Sequence, residues 1–140
     1  TRLQNMGTPD YLISAAVSLI LAQRLARKTC PNCRVPDEDI TPKALADFGF
    51  TVEQASRAKV QKGEGCSQCK DSGYKGRMGI YEILSVSKPI KEAILRKATT
   101  PELKEIAMKE GFRTMQDMGR ELILTGDLNF REFDRVLSSE

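Results

Sequence analysis

Two cysteine pairs, Cys30-Pro-Asn-Cys33 and Cys66-Ser-Gln-Cys69, hold all the cysteine in a chain of 140 residues that contains no histidine. Nothing else in the sequence restricts the fold as strongly. The pairs stand about 32 residues apart, longer than the commonest zinc-site spacings but of the same pattern. Each C-x-x-C wraps a turn so that two sulfurs and the amides behind them face one ion, and two such knuckles complete a tetrahedron. The expected ligands are Cys30, Cys33, Cys66 and Cys69.

Four soft donors without histidine suit zinc, the commoner occupant of closed all-cysteine sites, and iron in a rubredoxin-like centre takes the same set. Such a site has no open position with which to activate water, so the metal is expected to be structural. Disulfides fit poorly with a chain of intracellular character. A thioredoxin-type redox site fits poorly too, because neither pair lies between a clear strand and a helix. Four thiolates on a divalent ion leave a net charge of about −2, and Lys28, Arg34, Lys70 and Lys75 lie close enough in sequence to offset it.

The length corresponds to about one domain, enough to bury a core without covalent staples. Thr1 opens the chain inside what already reads as an element, so a piece of a longer protein is expected. Net charge is +3 with 29% charged residues, and the basic residues are spread along the sequence, which weighs against a nucleic-acid partner. The longest apolar run, 11–22, is broken by Ser14 and Ser18 and falls short of the roughly 20 residues a membrane span needs. It also lacks the charged start and the cleavage site of a signal peptide. A soluble intracellular domain, with no direct membrane insertion, is the simplest class.

Thr8-Pro9-Asp10 reads as a helix start with Thr8 as N-cap, opening a long helix over 9–28 whose apolar front half is buried and whose last turn carries Arg24, Arg27 and Lys28. Thr41-Pro42 opens a short helix closed by Gly49, Thr51 caps another, and 58–61 reads as a strand. The stretch 77–85 reads as a buried strand. Ser87 or Lys88, Thr100-Pro101 and Thr114 start three further helices, with stops at Gly111 and Gly126. A last helix has Asn129 as cap, Glu132 returning the capping bond, and Leu128 stapled onto Phe133. The fold class expected is mainly α with a small β component. It consists of a long buried helix within 1–29, a tetracysteine metal-binding subdomain over 30–70, a strand region returning over 71–86, and a C-terminal bundle of short helices over 87–140.

The strings GCSQCKDSGYKGRMGIYEIL, AQRLARKTCPNC and TRLQNMG, with the helical tail EGFRTMQDMGRELILTGDLNFREFDRVL, together resemble the C-terminal part of the ATPases of type II secretion and type IV pilus assembly. The resemblance implies a RecA-like P-loop ATPase, a cytoplasmic homo-hexamer that hydrolyses ATP with magnesium and moves inner-membrane platform proteins. It implies structural zinc on the four cysteines. It also places Arg77, of the GY-x-GR motif, and Arg24, of QRL, as candidate nucleotide-binding residues, a guanidinium being suited to charge on a transferring phosphoryl group. The chain itself contains no G-x-x-x-x-G-K-[ST] and none of that family's acidic or histidine boxes, so alone it is not expected to hydrolyse ATP.

Two rivals remain on the residues alone. One is a zinc-ribbon module that grips nucleic acid through Tyr74-Lys75-Gly76-Arg77. The other is a rubredoxin-like electron carrier.

Overall fold

Small polar side chains placed just ahead of apolar, helix-forming runs set most of the helix starts. The computed structural model describes residues 2–138. Among these, eight α-helices and four strands follow in the order α1 (Arg2–Asn5), α2 (Asp10–Ala16), β1 (Leu19–Thr29), β2 (Arg34–Pro36), α3 (Pro42–Asp47), α4 (Val52–Arg57), β3 (Gln61–Gly63), a 3-10 turn (Ser67–Cys69), β4 (Tyr74–Ser85), α5 (Lys88–Leu95), α6 (Thr100–Lys109), α7 (Met115–Leu124) and α8 (Phe130–Leu137). β1 pairs with β4, and β2 with β3, as two separate two-stranded sheets. Among the described residues no helix is long and apolar enough to cross a membrane.

The long helix expected over 9–28 is not formed. Helix α2 ends at Ala16, and the chain continues as the eleven-residue strand β1. Burial along β1 alternates with period two: Ala26 is fully buried, while the neighbouring Leu25 is 54% exposed. Leucine, alanine, glutamine and arginine are good helix formers, but long-range pairing with β4 outweighs their propensity. Arg24, Arg27 and Lys28 therefore sit on a strand, not in the last turn of a helix of their own. Pro9, not Thr8, occupies the N-cap of α2, and no side chain caps it.

Two compact units share the chain: one is the chain up to Ala22 with Glu82–Thr114, the other Gln23–Tyr81 with the chain from Met115 onward. In the first, α5 packs against both α2 and α6. Its core is Val86, Ile90 and Ala107, surrounded by partly buried Val17, Leu84, Ile94, Leu103, Ile106 and Phe112. A side chain such as Ile90, 1% exposed, contributes about 2 kcal/mol through burial. Ser87 caps α5 by accepting from the Ile90 amide at 3.4 Å, and its hydroxyl donates to Glu110 at 2.7 Å. Thr99 and Glu102 form a reciprocal capping box at the start of α6.

In the second unit, β2 and β3 run antiparallel with Arg34 opposite Gly63, Val35 opposite Lys62 and Pro36 opposite Gln61. The strand expected at 58–61 therefore begins later, at the first residue that finds a partner on β2. Helices α3 and α4 lie between these strands in sequence and pack together. Thr41 caps α3, and Thr51 with Gln54 forms a capping box on α4. Helices α7 and α8 also pair, and Phe48 meets Phe130 edge to face with ring centroids 4.5 Å apart. Of the last four helices, α5 packs with α6 and α7 with α8. Each pair completes the apolar side of a different unit.

Candidate metal centre

Strand β1 delivers Cys30 at its end, and the turn Pro31-Asn32 brings Cys33 to the start of β2. On the other side Cys66 leads into the 3-10 turn that ends at Cys69. The four sulfurs lie within 4.8 Å of one another. Cys30 Sγ is 3.9 Å from Cys66 Sγ, Cys33 Sγ 3.8 Å from Cys69 Sγ, and Cys66 Sγ 3.6 Å from Cys69 Sγ. A metal about 2.3 Å from each of four tetrahedral sulfurs places those sulfurs about 3.8 Å apart. A disulfide requires about 2.0 Å. All four cysteines are free, so the donor set fits a tetrahedral ion and forms no disulfide.

Backbone dipoles converge on the sulfurs. The Gly65 amide donates to Cys33 Sγ at 3.3 Å, the Cys66 amide to Cys69 Sγ at 3.2 Å and the Gly73 amide to Cys69 Sγ at 3.3 Å. The Asn32 side-chain amide donates to Cys66 Sγ at 3.3 Å. With Asn32 as the main cause, the Cys66 thiol is pulled down to about 6. Burial pushes Cys33 up to about 12, with the three other thiols adding to the shift. For Cys69, burial acts upward but the amides of Gly73 and Cys66 outweigh it, and the result is lowered. Protons are thus released unevenly from a cluster that must lose them to bind a metal.

Among the described residues the hydrogen-bond or ion-pair partners of three of the surrounding cations are not sulfurs. Lys28 and Arg34 pair with Asp127 at 3.6 and 3.5 Å, and Lys75 donates to Gln68 at 3.2 Å. Amides, not ammonium groups, are the hydrogen-bond donors to the sulfurs. Asn32, Gly65 and Gly73 were the residues sequence reasoning missed; their proximity to the cysteines was the available signal.

Two glycines allow the knuckles to close. A Cβ on Gly63 would lie 2.1 Å from the Gly73 carbonyl oxygen, and one on Gly73 would lie 2.5 Å from that of Gly63. Gly73 also has φ +76°, where a side chain is strained. The backbones cross at this point with no space for a side chain on either strand.

The other candidate site residues are not brought to the cluster. Arg24 is half-buried on β1, and its Nη1 donates to the Val136 carbonyl at 2.5 Å. Arg77 is exposed on β4. Tyr74, at the start of β4, lies under Arg27, whose Cζ is 4.0 Å from the ring centroid.

The polar focus that sequence reasoning placed elsewhere is Glu132. It is 1% exposed, and its carboxylate accepts from the Arg27 amide at 2.8 Å and pairs with the Arg27 guanidinium at 2.9 Å and with Arg135. Burial opposes its charge, but the bonds from Arg135 and Arg27 outweigh it and hold the carboxyl down at about 2. Asn129 caps α8 as expected, accepting from the Glu132 amide at 2.8 Å. The return half of that capping box is replaced, because the Glu132 carboxylate turns toward the two arginines.

Residues 1–135 match the profile of a family described as type II/IV secretion system protein. The chain belongs to that family. It is 36% identical over 94% of its length to a type IV pilus assembly ATPase PilB of Myxococcus xanthus, covering 23% of that protein. It is 38% identical, again over 94%, to a PilB of Thermus thermophilus, covering 15% of it. A type II secretion system protein E of Klebsiella pneumoniae is 33% identical over 97% of the chain, which covers 26% of that relative. The chain therefore spans about a quarter or less of these curated relatives. The resemblance to the type II secretion and type IV pilus assembly ATPases read from the sequence agrees with this family match.

Proposed function

We propose that this chain is the zinc-stapled C-terminal part of a hexameric cytoplasmic ATPase that drives type IV pilus assembly or type II protein secretion through an inner-membrane platform protein. Zinc is held by Cys30, Cys33, Cys66 and Cys69, and its contribution is to the fold: with four protein ligands it leaves no position for water or substrate. The observation that carries the reading is a cluster of four sulfurs within 4.8 Å of one another, three of their six separations at 3.6 to 3.9 Å, near the edge length of a tetrathiolate, in a chain of the secretion-system family. ATP and magnesium belong to the parent protein, since this sequence has no phosphate-cradling glycine loop.

Within that motor the stretch 30–70 acts as the metal subdomain, and 71–86 leads back to the nucleotide-facing body. Of the two arginines expected to meet nucleotide, Arg77 is better placed, being exposed on β4, whereas Arg24 already donates to a carbonyl of α8. Elemental analysis of the purified chain tests the core of this reading. One zinc per chain in a colourless protein is expected. A red protein with one iron would make the cysteines an electron-transfer centre, and a chain that takes up no metal would remove the reading.

A further inference from the structure

The two segments that leave the cysteine cluster also hold the head of α8. The Cys30 amide donates to the Gly73 carbonyl at 2.9 Å, so the exits from the two knuckles are tied to each other. One residue before Cys30, the Thr29 amide donates to the Asp127 carbonyl at 2.9 Å, in the turn ahead of α8. One residue after Gly73, Tyr74 enters a closed circuit of contacts. Its hydroxyl accepts from the Asn129 side chain at 2.9 Å, Asn129 accepts from the Glu132 amide at 2.8 Å, Glu132 pairs with Arg27 at 2.9 Å, and Arg27 lies over the Tyr74 ring. Leu128, Asn129 and Glu132 are all buried.

Helix α8 has only eight residues, too short to be helical in water without docking. Its docking partners are positioned by the cluster, because the amide of Gly73, next to Tyr74, is itself fixed on Cys69 Sγ. We infer that metal occupancy of the cysteine cluster controls the order of α8 through the circuit Tyr74, Asn129, Glu132 and Arg27, so that the centre works as a conformational latch on this helix as well as a staple for its own knuckles. This rests on the reading of the four cysteines as a metal centre. Loss of the ion frees Gly73 from Cys69, Tyr74 leaves Asn129 and Arg27, and α8 loses the contacts that hold its first turn.

Hydrogen exchange on the full chain, loaded with one equivalent of zinc or stripped by a chelator, tests the latch. Stripping is expected to speed exchange of the α8 amides at least tenfold and to leave those of α5 and α6 unchanged. Tyr74→Leu is expected to take up the same zinc while its α8 exchanges at the stripped rate. Tyr74→Phe, a milder change that removes only the bond to Asn129, is expected to speed α8 severalfold in the loaded state and decides the matter if the leucine variant does not fold. A chain that binds zinc but whose α8 exchanges alike with and without it overturns the latch alone. Full α8 protection in the loaded Tyr74 variants overturns it too, whereas failure to bind zinc overturns the latch together with the metal reading.

Discussion

The two units of this chain are held together by different physics. The first relies on aliphatic packing around Val86, Ile90 and Ala107, with capped helices whose start signals lie within a few residues of the helices themselves. The second has a four-sulfur cluster, a buried carboxylate between two arginines, and an aromatic group at Phe48, Phe130 and Phe133. Apolar packing is additive and degrades gradually when trimmed, whereas a metal centre and a buried ion pair depend on every member being present. The first unit should therefore weaken by degrees, and the second should fail abruptly.

The sharpest break is Cys66→Ser. Structural zinc sites contribute apparent free energies of about 10 kcal/mol or more, so this variant should lose its metal and the cooperative melting of the second unit, while α5 and α6 keep their exchange protection. Zinc content with calorimetry and hydrogen exchange checks it; a variant that kept both its zinc and its melt would refute the four-ligand centre.

A smaller effect is expected at Glu132. Because its carboxyl is held at about 2, below the usual carboxylate range, it stabilises the fold fully above pH ~4.5 and loses that contribution as pH falls through about 2. Glu132→Gln should cost about 2 kcal/mol at neutral pH, since both arginine partners are about half exposed and remain solvated without it. Denaturant titration of both proteins across pH should show the gap closing in acid. Zinc content is measured at each pH, and where the zinc is retained the difference isolates the carboxylate.

Ser87→Ala should be the mildest, about 1 kcal/mol from the lost cap of α5. Its effect should appear in the exchange of α5 and leave zinc affinity unchanged. A fall in zinc affinity would show that the cap of α5 and the metal centre are energetically coupled.

What was legible in the sequence was what is decided locally. Thr41, Thr51, Ser87 and Asn129 each cap a neighbouring helix, and the cysteines cluster as their spacing requires. Strand β1 was not legible, because its residues favour a helix and only a partner more than forty residues away makes them extended. Glu132 was legible as a first-turn acid but not as the partner of Arg27, 105 residues away. A window of local sequence gives no sign of that competitor. That amides behind the cysteines face the site was legible; which backbone donors reach a sulfur was not, because they have no residue identity to read, and the Asn32 side chain was missed.

The pairing of β2 with β3 has a consequence for how this metal centre tolerates change. Pro36 and Gln61 face each other across the ladder, so the excursion 37–60, with α3 and α4, leaves and rejoins the sheet at adjacent points. Lengthening such a closed excursion costs little, since closure entropy grows only with the logarithm of loop length. The wide interval between the cysteine pairs is thus not a dimension of the coordination sphere. It is the contour of a closed excursion, which can gain residues in its turns while Phe48 keeps its contacts with Phe130 and Phe133.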